Sequence, residues 1–299
     1  MKRLNLNTRI AFSAMILGIS LLSGCSKDRV ETEEEKSSYK SSDEYMDARK
    51  QAEQEYEITA DGTGPIVAQQ GTKVWAVKEK LMFANGDAVT YPYTVKIVEL
   101  YTPKDMIYYR MPSTSGTTLL TTAGEVRIRA FKNGQELVLR PTFTWTVEMP
   151  NASPVANMLT YYGEVSSSQA NWVNTPAGTF TVTAYGYTGE MAKMGWFSCA
   201  KVASTAATAT FTFNSTTDNL DNVAKFLYFP NLKSLKQVYT LTAADLPVGE
   251  SVKVILIGIN ASNVPFTYFE QKTVAQNLPI NVSLTANTDA GLTTLLNGL

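Results

Sequence analysis

Alternation of polar and apolar residues is the feature that most constrains the fold of this chain. Between residues 208 and 213, threonines at every second position alternate with one alanine and two phenylalanines. A period of two places successive side chains on opposite faces of a β-strand. Similar short runs, rich in β-branched and aromatic residues, recur at 74–77, 93–99, 125–131, 136–139, 143–148, 179–187, 223–229 and 252–259.

Turn signals between these runs favour antiparallel pairing. Asn133-Gly134 lies between two of the runs and is typical of a two-residue hairpin turn. No glycine-rich phosphate loop leads from a strand into a helix, so a parallel α/β fold is not expected. The predicted fold class is all-β, with two or more antiparallel β-sandwich modules. A short C-terminal helix over 288–296, capped by Thr288, completes the prediction.

Domain boundaries are predicted where the alternation breaks. Residues 151–154, Asn-Ala-Ser-Pro, interrupt it with small polar side chains and a proline, which cannot continue a ladder. The sequence therefore predicts a first β domain over 63–152 and a second β-sandwich region over 153–299. A further division of the second region near 236–245 is left open.

The composition excludes several classes of function. The 299 residues include no histidine, which rules out Ser-His-Asp and Cys-His catalysis and any histidine-ligated metal. A formal net charge of −1 does not supply the basic face that nucleic-acid phosphates require, so no nucleic-acid partner is expected. No catalytic residue, metal site or cofactor is predicted. Cys199 has apolar neighbours and is expected to be a buried core residue.

The N-terminal residues have the pattern of an export signal with a lipid attachment site. Three basic residues precede a 13-residue apolar run at 10–22, which is too short to span a hydrocarbon core of about 30 Å as a helix. Leu22-Ser23-Gly24-Cys25 then resembles the bacterial lipobox, in which the cysteine is lipidated and becomes the new N-terminus. The resemblance implies a signal peptide ending at Gly24 and an envelope protein anchored to the outer membrane through Cys25, on its periplasmic face or at the cell surface.

A charged segment follows, over residues 25–62. Between 26 and 57, eleven acidic and six basic residues give a net charge of −5, with almost no aliphatic side chains. Because such a segment cannot offset its chain entropy by burial, it is predicted to be an acidic tether, mostly disordered or extended. A short helix is expected after Ser42. The early acidic residues resemble the surface-display signal of lipoproteins of the Bacteroidetes, and a solvated spacer is the alternative.

Five stretches of the body resemble elements of a known β family. They are 98–101 (Val-Glu-Leu-Tyr), 104–107 (Lys-Asp-Met-Ile), 119–124 (Leu-Leu-Thr-Thr-Ala-Gly), 128–130 (Ile-Arg-Ala) and 194–199 (Met-Gly-Trp-Phe-Ser-Cys). Together they resemble ZU5-like and immunoglobulin-like β domains of Bacteroidetes lipoproteins. The resemblance implies an interaction module. The self-cleaving ZU5 type needs a histidine, which this chain lacks.

Aromatic residues in loop-like segments are the candidate contacts with a ligand or partner. Tyr108, Tyr109 and Trp172 lie in such segments, where an exposed ring could stack on a sugar or anchor a protein. No two carboxylates have the spacing of a glycosidase pair. Asp218 and Asp221 come nearest to a calcium loop but lack its remaining ligands.

The expected function is binding or scaffolding without catalysis, by a protein held to the membrane through its N-terminal lipid. Its partner is expected to be an envelope protein or a glycan. The alternative is a glycan-binding surface lipoprotein of a polysaccharide-uptake system. A hydrolase that uses only carboxylates is a third possibility, and two acids facing each other in a cleft would favour it.

Overall fold

The computed structural model describes residues 36–62, 64–166, 169–204, 207–276 and 278–299. Antiparallel sheets dominate these residues, and the all-β prediction is confirmed. Three short helices accompany the sheets: α1 (Asp43–Asp47), α2 (Pro103–Tyr109) and α3 (Asp289–Asn297).

The first fourteen described strands form one sandwich. They are β1 (Gln54–Ile58), β2 (Ile66–Val67), β3 (Lys73–Val74), β4 (Leu81–Phe83), β5 (Tyr93–Leu100), β6 (Thr114–Ser115), β7 (Thr118–Lys132), β8 (Gln135–Leu139), β9 (Trp145–Pro150), β10 (Leu159–Ser166), β11 (Gln169–Val173), β12 (Phe180–Val182), β13 (Gly186–Met191) and β14 (Gly195–Val202). A nine-stranded sheet has the order β1-β5-β7-β14-β10-β11, with β4, β6 and β8 at its side. A five-stranded sheet has the order β12-β13-β9-β3-β2.

The remaining described strands form a second sandwich. They are β15 (Thr208–Asn214), β16 (Ala224–Phe229), β17 (Ser234–Val238), β18 (Thr242–Pro247), β19 (Ser251–Ile259), β20 (Pro265–Thr273), β21 (Leu278–Asn281) and β22 (Thr285–Ala286). A three-stranded sheet has the order β18-β15-β21, in which β15 and β21 are parallel. A five-stranded sheet has the order β17-β16-β19-β20-β22.

Three apolar cores hold these layers together. The first lies inside the first sandwich, between Val126 and Ile128 of β7 and Val147 of β9. The third lies inside the second sandwich, where Phe211 of β15 is buried. The second core lies between the two sandwiches, where Leu100 of β5 shares a cluster with β16, β17, β19 and all three helices. Parts of the two sheets that face each other across this second core are therefore buried on both faces.

The sequence of strand β19 is apolar on both faces, as expected for a strand that is buried on both sides. Val252, Val254 and Leu256 belong to the third core, whereas Ile255 and Ile257 belong to the second. A strand with one wet face alternates apolar and polar residues, but a strand buried on both faces reads as a nearly continuous apolar run. The run from 254 to 257 is therefore what a central layer requires.

The predicted boundary at residue 152 is wrong. Strand β14 pairs with β7, with Phe197 opposite Val126, and β10 pairs with β14. The first sandwich thus continues to Val202, and the chain enters the second sandwich between β14 and β15. The break at 151–154 is only the passage from one sheet of the sandwich to the other. Likewise, the division considered near 236–245 is a change of sheet within the second sandwich, from β17 to β18.

Part of the predicted acidic tether is folded against the sandwiches, which corrects the prediction that most of it is disordered or extended, and the short helix expected after Ser42 is α1. Residues 36–58, here called the N-terminal strap, contact both sandwiches. Tyr39 is buried in the third core and Met46 of α1 in the second, and β1 pairs with β5 along its whole length. Residues 25–35, including Cys25, lie outside the described residues.

The acidic residues of the strap are accommodated because bases lie opposite them. Glu55 on β1 pairs with Lys96 on β5, with Nζ and carboxylate oxygen 2.5 Å apart. Glu53 bonds to two arginines of β7. Along β1 the glutamates point to solvent, while Gln54 and Ile58 are more buried. The net charge of the segment predicted disorder, but the basic residues that neutralise its glutamates lie on β5 and β7, outside the segment.

Local turn and cap predictions are confirmed. Asn133 and Gly134 join β7 to β8 with φ of 50° and 77°, the two positive values of a type I′ turn. The side chain of Thr288 accepts a hydrogen bond from the N–H of Gly291 at 3.0 Å and so caps α3. Cys199 is a free thiol, fully buried in the first core, and burial raises its pKa.

Candidate functional site

A groove on the outer face of the nine-stranded sheet brings cations and aromatic rings together. Its volume is about 500 Å³, within the range of small-molecule sites. We call it the basic groove, and its charged and aromatic lining residues are Lys50, Arg110, Arg127, Arg129, Lys193, Tyr109, Tyr162 and Trp196. No carboxylate lines it among the described residues.

Strand periodicity places the two central arginines in this groove. Val126 and Ile128 of β7 are buried in the first core. Their neighbours Arg127 and Arg129 therefore point to the opposite face of the sheet. Trp196 of β14 is the cross-strand partner of Arg127, and the guanidinium lies 5.0 Å from the centre of its ring, a cation–π distance.

Glu53 of the N-terminal strap fixes both arginines. The Nη2 atom of Arg129 donates to the two Glu53 carboxylate oxygens at 2.7 and 2.8 Å, and Nη2 of Arg127 donates to one of them at 3.1 Å. Burial opposes ionisation of Glu53, but the bond from Arg129 and the nearby positive charges outweigh it and hold the pKa of this carboxyl below its usual value. The Nε atoms of both arginines have no hydrogen-bond partner among the described residues.

Helix α2 supplies another side of the groove. It ends at Arg110, whose left-handed backbone (φ of 53°) terminates the helix, and whose Nη2 lies 2.9 Å from a carboxylate oxygen of Asp47. The last helical residue, Tyr109, places its ring edge-on to Trp196 at a centroid distance of 5.7 Å. Its hydroxyl donates to the backbone carbonyl of Gln51 at 2.5 Å.

The charges of the groove are only partly balanced. Glu53 faces the two arginines of β7, Asp47 faces Arg110 and Lys50, and Asp43 also lies beside Arg110, so three acids stand against five cations. Lys193 is exposed and lies 5.5 Å from the ring centre of Tyr162. None of these acids is among the lining residues, so the lining itself carries positive charge and aromatic surface.

Of the three aromatic residues predicted as contacts, one lies in the groove. Tyr109 lines it, although most of its ring is buried. Tyr108 and Trp172 are buried in the second core and cannot contact a ligand. Their segments are not loops: the tyrosines end helix α2, and Trp172 belongs to β11. Helix α2 was missed because it has only seven residues.

The residues that sequence reasoning missed are Arg127, Arg129 and Trp196. The alternation over 125–131 puts Arg127 and Arg129 on one face of the strand, opposite the apolar residues, but it does not show which residues of other strands lie beside them. Trp196 comes to their side only through the pairing of β14 with β7, which closes a loop of more than 60 residues. The only sequence feature that pointed to this site was a pair of arginines two positions apart on one predicted strand.

The buried carboxylates do not form a catalytic pair. Glu99 and Glu125 are both fully buried, on neighbouring strands β5 and β7. Glu99 is opposite Val126, a residue of the first core, whereas Glu125 is opposite Leu100, a residue of the second. The two acids therefore lie on opposite faces of one sheet. Glu99 accepts hydrogen bonds from Gln54 Nε2 and from two backbone N–H groups.

The predicted near-match to a calcium loop is a structural network. Asp218 is 4% exposed and accepts hydrogen bonds from the hydroxyls of Tyr39 and Thr217 and from the N–H of Leu284. Asp221 is exposed. Within the part of the chain that the structure describes, no group of three or more histidine, cysteine, aspartate or glutamate residues is placed to hold a metal ion.

Glu125 predicts a pH dependence of stability. Burial raises the pKa of this carboxyl well above its usual value, and one oxygen bonds only to Ser113 while the other has no partner among the described residues. The unfolded chain releases this proton near pH 4.3 and the folded chain retains it, so stability falls as pH rises above that value. We expect Glu125→Gln to raise the free energy of unfolding by about 1–3 kcal/mol at pH 8 and to change it little at pH 4.

Chemical denaturation at the two pH values measures this difference. Glu136→Gln is the matched control, since Glu136 is exposed on β8, and it should leave stability within about 0.5 kcal/mol at both. Equal effects of the two substitutions at pH 8 would contradict the assignment of Glu125 as a protonated group.

Comparison with known proteins identifies no relative. No protein-family model matches this chain, and neither a curated protein nor a solved structure does. The likeness to ZU5-like β domains thus remains a resemblance. None of the helices in the described ranges is long and apolar enough to cross a membrane.

Proposed function

We propose that this chain is a lipid-anchored protein of the bacterial cell envelope, acting as a non-catalytic binding module whose ligand contact is the basic groove. The anchor is Cys25, at the end of the Leu-Ser-Gly-Cys sequence that follows the apolar run at 10–22. More than one lipid chain on such a residue holds a protein stably at a bilayer. The predicted site is the outer membrane, on either face.

The observation that carries this proposal is the chemistry of the groove wall. Five cations and the partly exposed ring of Trp196 lie along it, next to the largely buried rings of Tyr109 and Tyr162 and without a lining carboxylate. Arginine does not release its proton in proteins, so Arg127 and Arg129 provide fixed charge rather than acid–base chemistry. Burial raises the pKa of Tyr109, which keeps its hydroxyl protonated. Such a wall suits binding of an anionic or aromatic-stacking ligand rather than turnover.

Glycan binding at the cell surface is the second candidate, and Trp196 favours it. The ring of Trp196 is only partly buried in the groove. The flat face of an indole packs against apolar surfaces while polar groups around it fix orientation. A sugar ring has both an apolar face and polar hydroxyl groups, so one ligand can make both kinds of contact.

The anchor is tested by metabolic labelling with an alkyne fatty acid. We expect label on the wild-type chain and on Cys199→Ser, and none on Cys25→Ser. Label that survives in Cys25→Ser would remove the proposed anchor.

The binding contact is tested in the envelope with a photoreactive amino acid at position 193 of the full chain. Position 193 borders the groove, and position 136, exposed on β8, is the control. We expect adducts from position 193 that position 136 does not give. The same yield from both positions, or none from 193, would overturn the groove as the contact.

A further inference from the structure

We infer that the basic groove binds an acidic oligosaccharide, a chain of sugars that carry carboxylates. This inference rests on the proposed function and specifies its ligand. The geometry of the arginines, the open ring beside them and the position of the groove on the sheet support it separately.

The arginine pair is prepared for a carboxylate. Glu53 holds Arg127 and Arg129 through their Nη2 atoms, which limits rotation of both guanidinium groups. Their Nε atoms are buried, but the two side chains keep 26% and 28% of their surface exposed. A guanidinium presents its donors in a planar fork that matches the two oxygens of a carboxylate. Glu53 is thus a positioning residue, and its oxygens do not occupy every donor.

Trp196 supplies the partly exposed aromatic ring of the groove. Gly163 of β10 is its cross-strand partner and lets the strands pack closely, because a Cβ at position 163 would lie 2.6 Å from the Cβ of Trp196 and 3.2 Å from the ring of Trp172. Gly195 precedes the tryptophan with φ of +110°, a conformation that other residues rarely adopt. A Cβ at position 195 would meet no atom within 4 Å, so the groove is open beside the start of this strand, next to the indole. A simple inorganic anion would use the arginines and leave this surface empty.

The position of the groove on the sheet favours a saccharide over a peptide. Strands β7, β14 and β10 each pair with a neighbour on both sides, so their backbone groups are already bonded. An extended peptide that adds to a sheet needs a free edge, and the groove offers a face. Recognition there must use side chains, and the lining offers cations and rings without a carboxylate to accept the hydroxyls of a neutral sugar.

The inference is tested by calorimetric titration of the full chain with a hexamer of galacturonic acid. The matched neutral probe is a galactose hexamer with the same linkage, which carries a hydroxymethyl group in place of each carboxylate. We expect binding of the acidic hexamer that weakens with added salt, as expected for exposed charges, and at least tenfold weaker binding of the neutral one, since a hydrogen bond to a charged group is worth about a factor of ten or more.

Substitutions inside and outside the groove distinguish binding at the groove from nonspecific attraction of an acidic ligand to positive charge. Arg127→Gln and Trp196→Ala should each weaken binding of the acidic hexamer by about tenfold or more, and Arg140→Gln, which lies outside the groove, by less than about twofold. Arg129→Lys keeps the charge but loses the fork and should also weaken binding several-fold. Thermal unfolding of each variant shows which losses reflect the fold. If Trp196→Ala is unstable, Trp196→Leu replaces it.

The outcomes distinguish this inference from the proposed function. Equal affinity for both hexamers, or no effect of the arginine variants, would overturn the acidic saccharide. Failure of both hexamers to bind, together with adducts from position 193 to an envelope protein, would overturn the inference while the binding module stands. Failure of both hexamers without any adduct would overturn both.

Discussion

Replacing Trp172 with alanine should lower the free energy of unfolding by about 3–5 kcal/mol, the cost typical of truncating a buried tryptophan. Its side chain has no solvent exposure and lies in the second core, between the two sandwiches. Its indole N–H donates to the carbonyl of Pro112 at 2.8 Å, so the substitution also leaves that acceptor without its donor. In a chain of this size, we expect the melting temperature to fall by about 10 °C.

Two further substitutions show whether the loss in Trp172→Ala comes from burial of the ring, from its hydrogen bond or from neither. Trp172→Phe keeps most of the apolar volume but loses the N–H, and its effect should be intermediate. Phe143→Ala removes an aromatic ring that is 46% exposed and should change stability by less than about 0.5 kcal/mol. Calorimetry or chemical denaturation measures all three. A melting temperature of Trp172→Ala within two degrees of wild type would show that the ring is not part of the core.

Trp172 also shows where sequence patterns lose their power. Asn171-Trp172 looked like part of a loop because the alternation around it is short and polar. In the structure, Trp172 on β11 is opposite Gly163 on β10, and the glycine makes room for the indole. Burial of a residue on an edge strand depends on what packs over it, which local periodicity does not contain.

Strand positions could be predicted because they follow from local chemistry. The runs at 93–99 and 125–131 became most of β5 and the second half of β7, since each alternation buries one face in the first core. The Asn133-Gly134 turn fixed the hairpin from β7 to β8. Strand alternation and a two-residue turn depend only on residues that are close in sequence, so both can be predicted without knowing the fold.

Domain limits and the groove could not be predicted, because they depend on pairing between distant segments. The return of β14 to β7 extends the first sandwich to Val202 and places Trp196 beside Arg127. Likewise, Glu53 looked like one of many tether acids, but its partners are more than 70 residues away. The net charge of a segment says little when the neutralising bases lie on another strand.

Asp218 anchors the N-terminal strap, and Asp218→Ala should cost about 3 kcal/mol or more, because hydrogen bonds to a buried charged group are each worth about 1.5–3 kcal/mol. One carboxylate oxygen accepts the Tyr39 hydroxyl at 2.6 Å. The other accepts the hydroxyls of Thr217 and Ser215 and the N–H of Leu284 at 3.1 Å. Truncation leaves donors from three segments without an acceptor.

Smaller changes at the same network should have graded effects. Asp218→Asn keeps one acceptor oxygen and should cost less than the alanine variant. Tyr39→Phe removes a single donor and should cost about 1 kcal/mol. Asp221→Ala is the matched control, an exposed aspartate three residues away, and should stay within about 0.5 kcal/mol of wild type.

The loss in Asp218→Ala should depend on pH. Burial would raise the pKa of Asp218, but its hydrogen-bond donors, Tyr39 first among them, outweigh burial and lower it. Because the pKa of Asp218 is lower in the folded chain than in the unfolded chain, where it is about 3.9, the ionised carboxylate stabilises the fold at pH values above 3.9. This stabilisation is lost as the pH falls through the folded-state pKa. Chemical denaturation at pH 7 and pH 3 should therefore show a larger difference between wild type and Asp218→Ala at pH 7. A difference that grows on acidification would mean that the carboxylate is not the stabilising form.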